Sequence, residues 1–271
     1  MNVKVPILAV IGHSASGKTT VIESIVRELT EKGYSVATVK HINQTGFSMD
    51  TKGKDTWRHS LAGANPVITV SDVEIAVLMK KKKKIHSLDK LFRYIPNLDV
   101  IVLEGFSRVV LKDKHIGKIL CVKNRQEYKG YHEKVKGKVI AFCSLQSMED
   151  NILRITEDSA VYSKLALEFI ERKIKFLKIL NTLPRLDCKD CKLESCEEMA
   201  VAIYQRKAKF TDCKILKSKS KLKTKLIINN AEVLLNPFVS EFTRNSILGM
   251  VSSLKGVSIK GDEKIHVEIL S

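Results

Sequence analysis

Two sets of residues in this chain have the types and spacing for chemistry. The first runs Gly12, His13, Ser14, Ala15, Ser16, Gly17, Lys18, Thr19, Thr20, and its Gly-x4-Gly-Lys-Thr order is that of a phosphate-binding loop. The glycines let the backbone curl until successive N–H groups converge on phosphate oxygens. The helix that follows the loop aims its positive end at the same anion. Lys18 can reach the β- and γ-phosphates of a nucleotide, and the Thr19 hydroxyl can hold Mg²⁺. The second set is Cys188, Cys191, Cys196 and Cys213. Close thiols with one distant partner are how a chain wraps a metal centre. Four thiolates suit either a [4Fe–4S] cluster or a tetrahedral Zn²⁺, and free thiols are the remaining alternative.

The elements around these residues have to place them. An apolar run from Val5 to Ile11 predicts a strand entering the phosphate loop, and the amphipathic run from Val21 to Leu29 predicts the helix that leaves it. A second strand, Ser35 to Val39, ends at Lys40-His41, the carboxyl end where open α/β sheets place ligands. Val100 to Leu103 is apolar throughout, as a buried parallel strand should be, and ends in Glu104-Gly105-Phe106. An acid there can serve Mg²⁺ directly or through water, or can simply be a sheet-edge carboxylate. Further strands are expected at Ile119–Val122, which ends at Lys123-Asn124 where either side chain could face a guanine base, and at Val139–Phe142. The polar stretch 41–59 reads as a loop, followed by a short helix over Asp55–Ala62 and two strands, Asn65–Val70 and Ile75–Met79. Ser87–Tyr94 reads as helical, and Arg125–Lys138 as a charged surface excursion.

Asp158 opens a long amphipathic helix to about Asn181, and Pro184 stops it. Cys196 starts a helix that returns the chain to Cys213. Lys214–Lys225 reads as a basic linker or an edge strand. Asn229-Asn230 signals a hairpin, Pro237 opens a helix that Gly256 closes, and Ile265–Ile269 alternates as a last strand. Cys121 and Cys143 sit alone in apolar runs and read as buried structural thiols.

Composition narrows the partners. The chain has 271 residues, 44% of them hydrophobic, enough for a packed core and an appendage. No apolar run is long enough to span a membrane, and the first residues lack the shape of a signal peptide, so a cytoplasmic, reducing setting is expected. The net charge of +17 favours anionic partners. The Lys80–Lys84 run carries no interleaved aromatics, so it reads as solvated and a nucleic-acid partner is not expected.

From residue 5 to 145 the chain resembles the MobB family of molybdenum-cofactor guanine-dinucleotide synthesis. The resemblance rests on Gly-His-Ser-Ala-Ser-Gly-Lys-Thr-Thr, Val39-Lys40-His41, Asp50-x2-Gly53-Lys54-Asp55-Thr56-x-Arg58, Ala62-Gly63-Ala64 and Val102-Leu103-Glu104-Gly105-Phe106. It implies a GTP-binding accessory protein with weak GTPase activity. Such a protein assists MobA, the guanylyltransferase that joins GMP to molybdopterin, and commonly dimerises. It also implies that Lys18 holds phosphate, that Thr19 and Glu104 serve Mg²⁺, and that Asp50, Lys54, Asp55 and Arg58 line the nucleotide or cofactor site. Residues 183–213 resemble the small [4Fe–4S] domain of corrinoid iron–sulfur proteins, through Leu183-Pro184, the cysteine spacing and Asp212-Cys213. That resemblance favours [4Fe–4S] over Zn²⁺. The resembled domain usually has a glycine after its second cysteine, where this chain has Lys192.

The expected architecture is an α/β P-loop NTPase with a mostly parallel sheet over 1–150. A connecting helix at 151–182, a four-cysteine domain at 183–216 and a small ββαβ module at 217–271 complete it. The expected function is a GTP-binding accessory protein of molybdenum or tungsten cofactor synthesis, with a P-loop small-molecule kinase or a nucleotide-gated metal or cluster carrier as the alternatives.

Overall fold

A computed structural model of the chain describes residues 5–80, 98–148, 151–218, 224–228, 231–233, 235–257 and 265–267. The helix expected at Ser87–Tyr94, Lys81–Lys84 of the basic run and the Asn229-Asn230 turn lie outside these residues. The chain divides into two compact units, Met1–Lys173 and Ile174–Ser271.

The first unit is built on a six-stranded parallel sheet. Its strands are β1 (Ile7–Gly12), β2 (Val36–Lys40), β5 (Val100–Glu104), β6 (Gly117–Cys121), β7 (Val139–Ser144) and β8 (Ile152–Arg154), in the order β2-β5-β1-β6-β7-β8. β1, β5 and β6 are apolar and almost wholly buried because helices cover both faces of a parallel sheet. Ile7, Ala9 and Ile11 alternate onto one face, where they join Ile101, Leu103, Val110, Ile116 and Leu120. Helix α1 (Lys18–Glu31) buries Val21, Ile22, Ile25 and Leu29, spaced as one helical stripe. Full burial of four such side chains contributes roughly 6–12 kcal/mol against their exposure to water. β8 is not expected from the sequence: a three-residue strand is too short for periodicity to reveal, so the sheet extends past residue 150.

Between β2 and β5 lie helix α2 (Asp55–Leu61) and the antiparallel hairpin of β3 (Val67–Val70) and β4 (Ile75–Leu78), which forms a separate small sheet. The Asn65 side chain closes its base by bonding both the N–H and the C=O of Lys80. Two short helices come next, α3 (Ser107–Val110) after β5 and α4 (Arg125–Lys134) after β6.

At the amino end of β6, Lys118 is fully buried. Its ammonium donates to the carbonyls of Asp113, Ile116 and Lys136. Burial holds its pKa below the usual lysine value, with the charge of Asp113 opposing that shift.

Helix α5 (Ser159–Thr182) carries the chain from the first unit into the second. The second unit then contains α6 (Cys196–Tyr204), a 3₁₀ turn (Phe210–Asp212), α7 (Lys214–Ser218), the hairpin β9 (Leu226–Ile228) and β10 (Ala231–Val233), and α8 (Pro237–Ser252). Lys214–Ser218 is therefore helical where a linker or strand was expected. Ile265–Val267 shows no strand, and the rest of the expected last strand lies outside the described residues.

Candidate functional site

The phosphate loop joins β1 to α1 as the motif requires. Gly17 caps α1 with φ of 83°, in the left-handed region, and offers no side-chain bond to the helix N-terminus. The first N–H groups of α1 therefore keep their donors for an anion. Neither glycine tolerates a side chain. A Cβ on Gly12 would lie 2.4 Å from Ser16 Oγ and 2.5 Å from the Cys121 carbonyl, and one on Gly17 would lie 2.4 Å from Ile155 Cδ1. Ala15 is also left-handed, with φ of 53°. Ser16 is buried and donates to the His13 carbonyl at 2.9 Å, tightening the loop from inside. Lys18 Nζ donates to the same carbonyl at 2.6 Å, so the lysine folds over the loop. These features fit a chain of phosphates.

A carboxylate arrives from the neighbouring strand. Glu104 ends β5, in register with Val10 of β1 on one side and Lys40 of β2 on the other. Its carboxylate is mostly buried and lies 3.0 Å from Lys40 Nζ. The backbone beside it is pinned on both sides: His41 N–H donates to the Glu104 carbonyl, and Gly105 N–H to that of Val10. Gly105 and Phe106 are both left-handed, turning the chain out of the sheet so that the Phe106 ring meets His41 at 5.0 Å. Cys121 reports that these charges converge. Burial pushes its thiol up to about 12, the Lys18 charge opposes the shift and the Glu104 charge adds to it. Mg²⁺ takes hard oxygen donors. The Glu104 carboxylate, which already attracts a cationic group, and the Thr19 hydroxyl on the first turn of α1 fit that demand.

The segment after β2 is less tied to this centre. Asp50 Oδ1 accepts from Thr56 Oγ1 at 2.6 Å, while its Oδ2 is buried without a partner among the described residues. Lys54 is the N-cap position of α2, and Asp55 and Arg58 are exposed and 3.9 Å apart. Among the described residues the hydrogen bonds and ion pairs of Asp50, Lys54, Asp55 and Arg58 stay within residues 48–62, and none joins the phosphate loop.

Asn124 does not stand free for a base. Its side chain caps α4 by accepting from Glu127 N–H at 2.9 Å, and Glu127 reaches back to Lys123 N–H. Asn124 is thus an N-cap, and Glu127 adds a second tie one residue before it. Within the charged surface stretch, Arg125–Lys134 forms a helix with no buried residue. The Glu127 carboxylate also meets His13 Nδ1 at 3.1 Å, tying the phosphate loop to α4. No short-range pattern could have disclosed that pair.

In the second unit the four cysteines line one cavity, together with Leu183, Pro184, Asp187 and Met199. A small apolar cluster of Leu183, Cys196, Met199, Ala200, Cys213 and Ile215 underlies it. The loop into the cavity is contorted: Arg185, Asp187, Lys189 and Lys192 are all left-handed, and none is glycine. Lys192, with φ of 64°, occupies the position where glycine was the expected residue. Asp187 anchors this loop by accepting from Cys196 N–H at 2.6 Å. Cys196 opens α6, which Ser195 caps. Asp212 holds the other approach, accepting from Lys209 N–H at 2.8 Å and closing the 3₁₀ turn that delivers Cys213. Burial raises the thiol pKa of Cys188 and Cys196. A soft metal centre overturns that preference for the neutral thiol, because it binds the thiolate. The four thiols line one apolar-floored cavity and are the soft donors an iron–sulfur cluster takes, but among the described residues no three of them stand close enough together to hold a metal as placed.

A phosphate loop on β1, beside a carboxylate at the carboxyl end of the adjacent parallel strand, defines a P-loop α/β protein. A family profile described as "Molybdopterin guanine dinucleotide synthesis protein B" (MobB) matches residues 7–145. The chain belongs to the MobB family. A second profile, described as "Putative Fe-S cluster", matches residues 183–215. The chain is 27% identical over 263 residues to a protein of Methanocaldococcus jannaschii named "Putative molybdopterin-guanine dinucleotide biosynthesis adapter protein", covering 97% of each. It is 36% identical over 129 residues to the "Molybdopterin-guanine dinucleotide biosynthesis adapter protein" of Haemophilus influenzae, covering 47% of this chain and 67% of that one. The solved structure of Bacillus subtilis MobB aligns over 61% of this chain and 98% of its own, at 24% identity and a TM-score of 0.48. No helix among the described residues is long and apolar enough to cross a membrane.

Proposed function

We propose that this chain is a GTP-binding adapter of molybdopterin guanine-dinucleotide synthesis that carries a [4Fe–4S] cluster. The observation that carries the reading is the convergence of the phosphate loop and Glu104 at one end of the sheet, in a chain of this family. The backbone amides of residues 12–19 and Lys18 hold the phosphate oxygens of GTP. Thr19 and Glu104 hold Mg²⁺, which supplies positive charge to those phosphates. GTP hydrolysis is weak, as the family resemblance implies, with Lys18, the backbone amides and Mg²⁺ stabilising charge on the γ-phosphate when water attacks. Asp50, Lys54, Asp55 and Arg58 line the nucleotide or cofactor side of the site.

Cys188, Cys191, Cys196 and Cys213 ligate the cluster within residues 183–216, and the family profile over 183–215 supports iron over zinc. The partner is a MobA-like guanylyltransferase that handles molybdopterin or its tungsten counterpart, in the cytoplasm, and the adapter acts as a homodimer. Anaerobic purification with metal and nucleotide analysis tests both centres. The expected result is a brown protein with four irons per chain that binds GTP in the presence of Mg²⁺. A colourless protein with one zinc would remove the cluster, and a protein that ignores GTP would remove the adapter's nucleotide.

A further inference from the structure

Lys40 is the cation nearest Glu104 that no part of the proposed site uses. It ends β2, sits directly opposite Glu104 in the strand register, and places Nζ 3.0 Å from the carboxylate. Its side chain is more than half exposed, whereas that of Glu104 is mostly buried. The backbone on both sides of the pair is fixed to the sheet, since His41 N–H bonds the Glu104 carbonyl and Gly105 N–H bonds that of Val10. The lysine stem can therefore swing while its Cα stays in place. Its neighbours leave it that freedom, because this ion pair is its one side-chain tie among the described residues. A carboxylate cannot give the same oxygens fully to an ammonium and to Mg²⁺ at once. The two cations also repel each other at that distance.

We infer that Lys40 is an exchangeable cation at Glu104: it holds the carboxylate in the metal-free site and turns to the terminal phosphate of a nucleoside triphosphate when Mg²⁺ takes its place. This inference rests on the nucleotide reading of the same site. Lysine suits the exchange, being a point charge on a flexible four-carbon stem. The direction of the swing is set by the sheet order, in which β5 stands between β2 and the phosphate-loop strand β1. A terminal phosphate held over Lys18 lies on the Glu104 side of Lys40. A nucleoside diphosphate offers no such acceptor, so the displaced ammonium gains nothing there and Mg²⁺ binds less readily. Lys40 thus makes the metal site discriminate triphosphate from diphosphate.

The test is a Mg²⁺ titration of the full chain, read by equilibrium nucleotide binding, with GTP and with GDP, in the unsubstituted protein, Lys40→Met and Lys40→Arg. Beyond the preference that Mg²⁺ itself has for a triphosphate, the unsubstituted protein should need roughly threefold to tenfold more Mg²⁺ with GDP than with GTP, the worth of one partly buried ion pair. In Lys40→Met that added difference should vanish and only the metal's own preference remain, because the GDP midpoint falls and the lysine's share of the GTP advantage is lost. Lys40→Arg keeps the charge and should keep most of the difference. A ratio that is undiminished in Lys40→Met overturns the inference and leaves nucleotide binding intact. Failure of the unsubstituted protein to bind either nucleotide removes the nucleotide reading and the inference together.

Discussion

The two centres of this chain solve the same problem, bending backbone around a ligand, by opposite means. At the phosphate loop the tightest positions are glycines, with Gly12 and Gly17 leaving no room for a Cβ and Gly105 making the turn after Glu104, and just two residues with side chains there, Ala15 and Phe106, are left-handed among those described. Around the cysteines, Arg185, Asp187, Lys189 and Lys192 take left-handed conformations with side chains attached. Each such residue costs about 1–2 kcal/mol. The loop at the sheet is secured by burial of its strands. The cysteine loop rests on a small apolar cluster and is tied by the Asp187 and Asp212 anchors, by Arg185 donating to Asn181 and by the Lys189–Glu194 pair. The difference teaches that the first loop is held in shape by the chain's own packing, whereas the cysteine loop carries a backbone cost that metal–thiolate bonds would repay.

Independence of the two centres is the sharpest consequence. Lys18→Ala should weaken GTP binding roughly 100-fold through loss of a charged phosphate contact, with unchanged iron. Calorimetric titration checks the affinity, and an iron loss in that variant would break the contrast. Cys213→Ser should cut retained iron about tenfold or more while GTP affinity stays put, read by metal analysis of the anaerobic protein.

A smaller effect concerns the sheet alone. The Cys121 pKa is raised in the folded state, from 9.0 to about 12, and that of Cys143 is raised as well. The folded chain therefore holds these protons more tightly than the unfolded one. Their contribution to stability is fully present below pH 9 and is lost as pH rises toward 12. Urea midpoints across that window should fall more steeply for the unsubstituted protein than for Cys121→Ala.

The smallest expected effect is at Lys192. Glycine there should stabilise the metal-free second unit by ~0.5 kcal/mol, once its greater freedom in the unfolded chain is subtracted from the relieved strain. Thermal unfolding of the iron-depleted protein reads it.

Much of the first unit is legible in the sequence because its chemistry sits at strand ends. Apolar runs locate β1, β5 and β6, and the residues just past each run stand at the carboxyl edge of the sheet. β8 escapes because Ile152–Arg154 is too short to show a period, and its place depends on pairing with β7. Asn124 at a strand end suggests a side chain facing a base, although its own neighbour Glu127 makes it a helix cap. The Lys40–Glu104 pair joins residues distant in sequence and becomes visible only once β2 and β5 are known to be adjacent. In the second unit the cysteines are plain from spacing. The anchoring role of Asp187 is not, because it depends on a contorted loop that no propensity describes.

Strand β6 raises a question of alignment that its apolar residues cannot answer. Gly117, Ile119, Leu120 and Cys121 are all buried, so hydrophobicity looks alike on either face and would accept a slide by one residue. Lys118 would not. A slide would take its ammonium from the three carbonyls that receive it and strand it in apolar surroundings. The pairing with β7 also skips a residue between Lys118 and Ile119, so the lysine sits where the ladder is least regular. Lys118 acts as an indexing pin. By fixing where β6 stops, it sets Cys121 opposite Gly12 and so decides, from the far end of the strand, the height of the floor on which the phosphate loop rests.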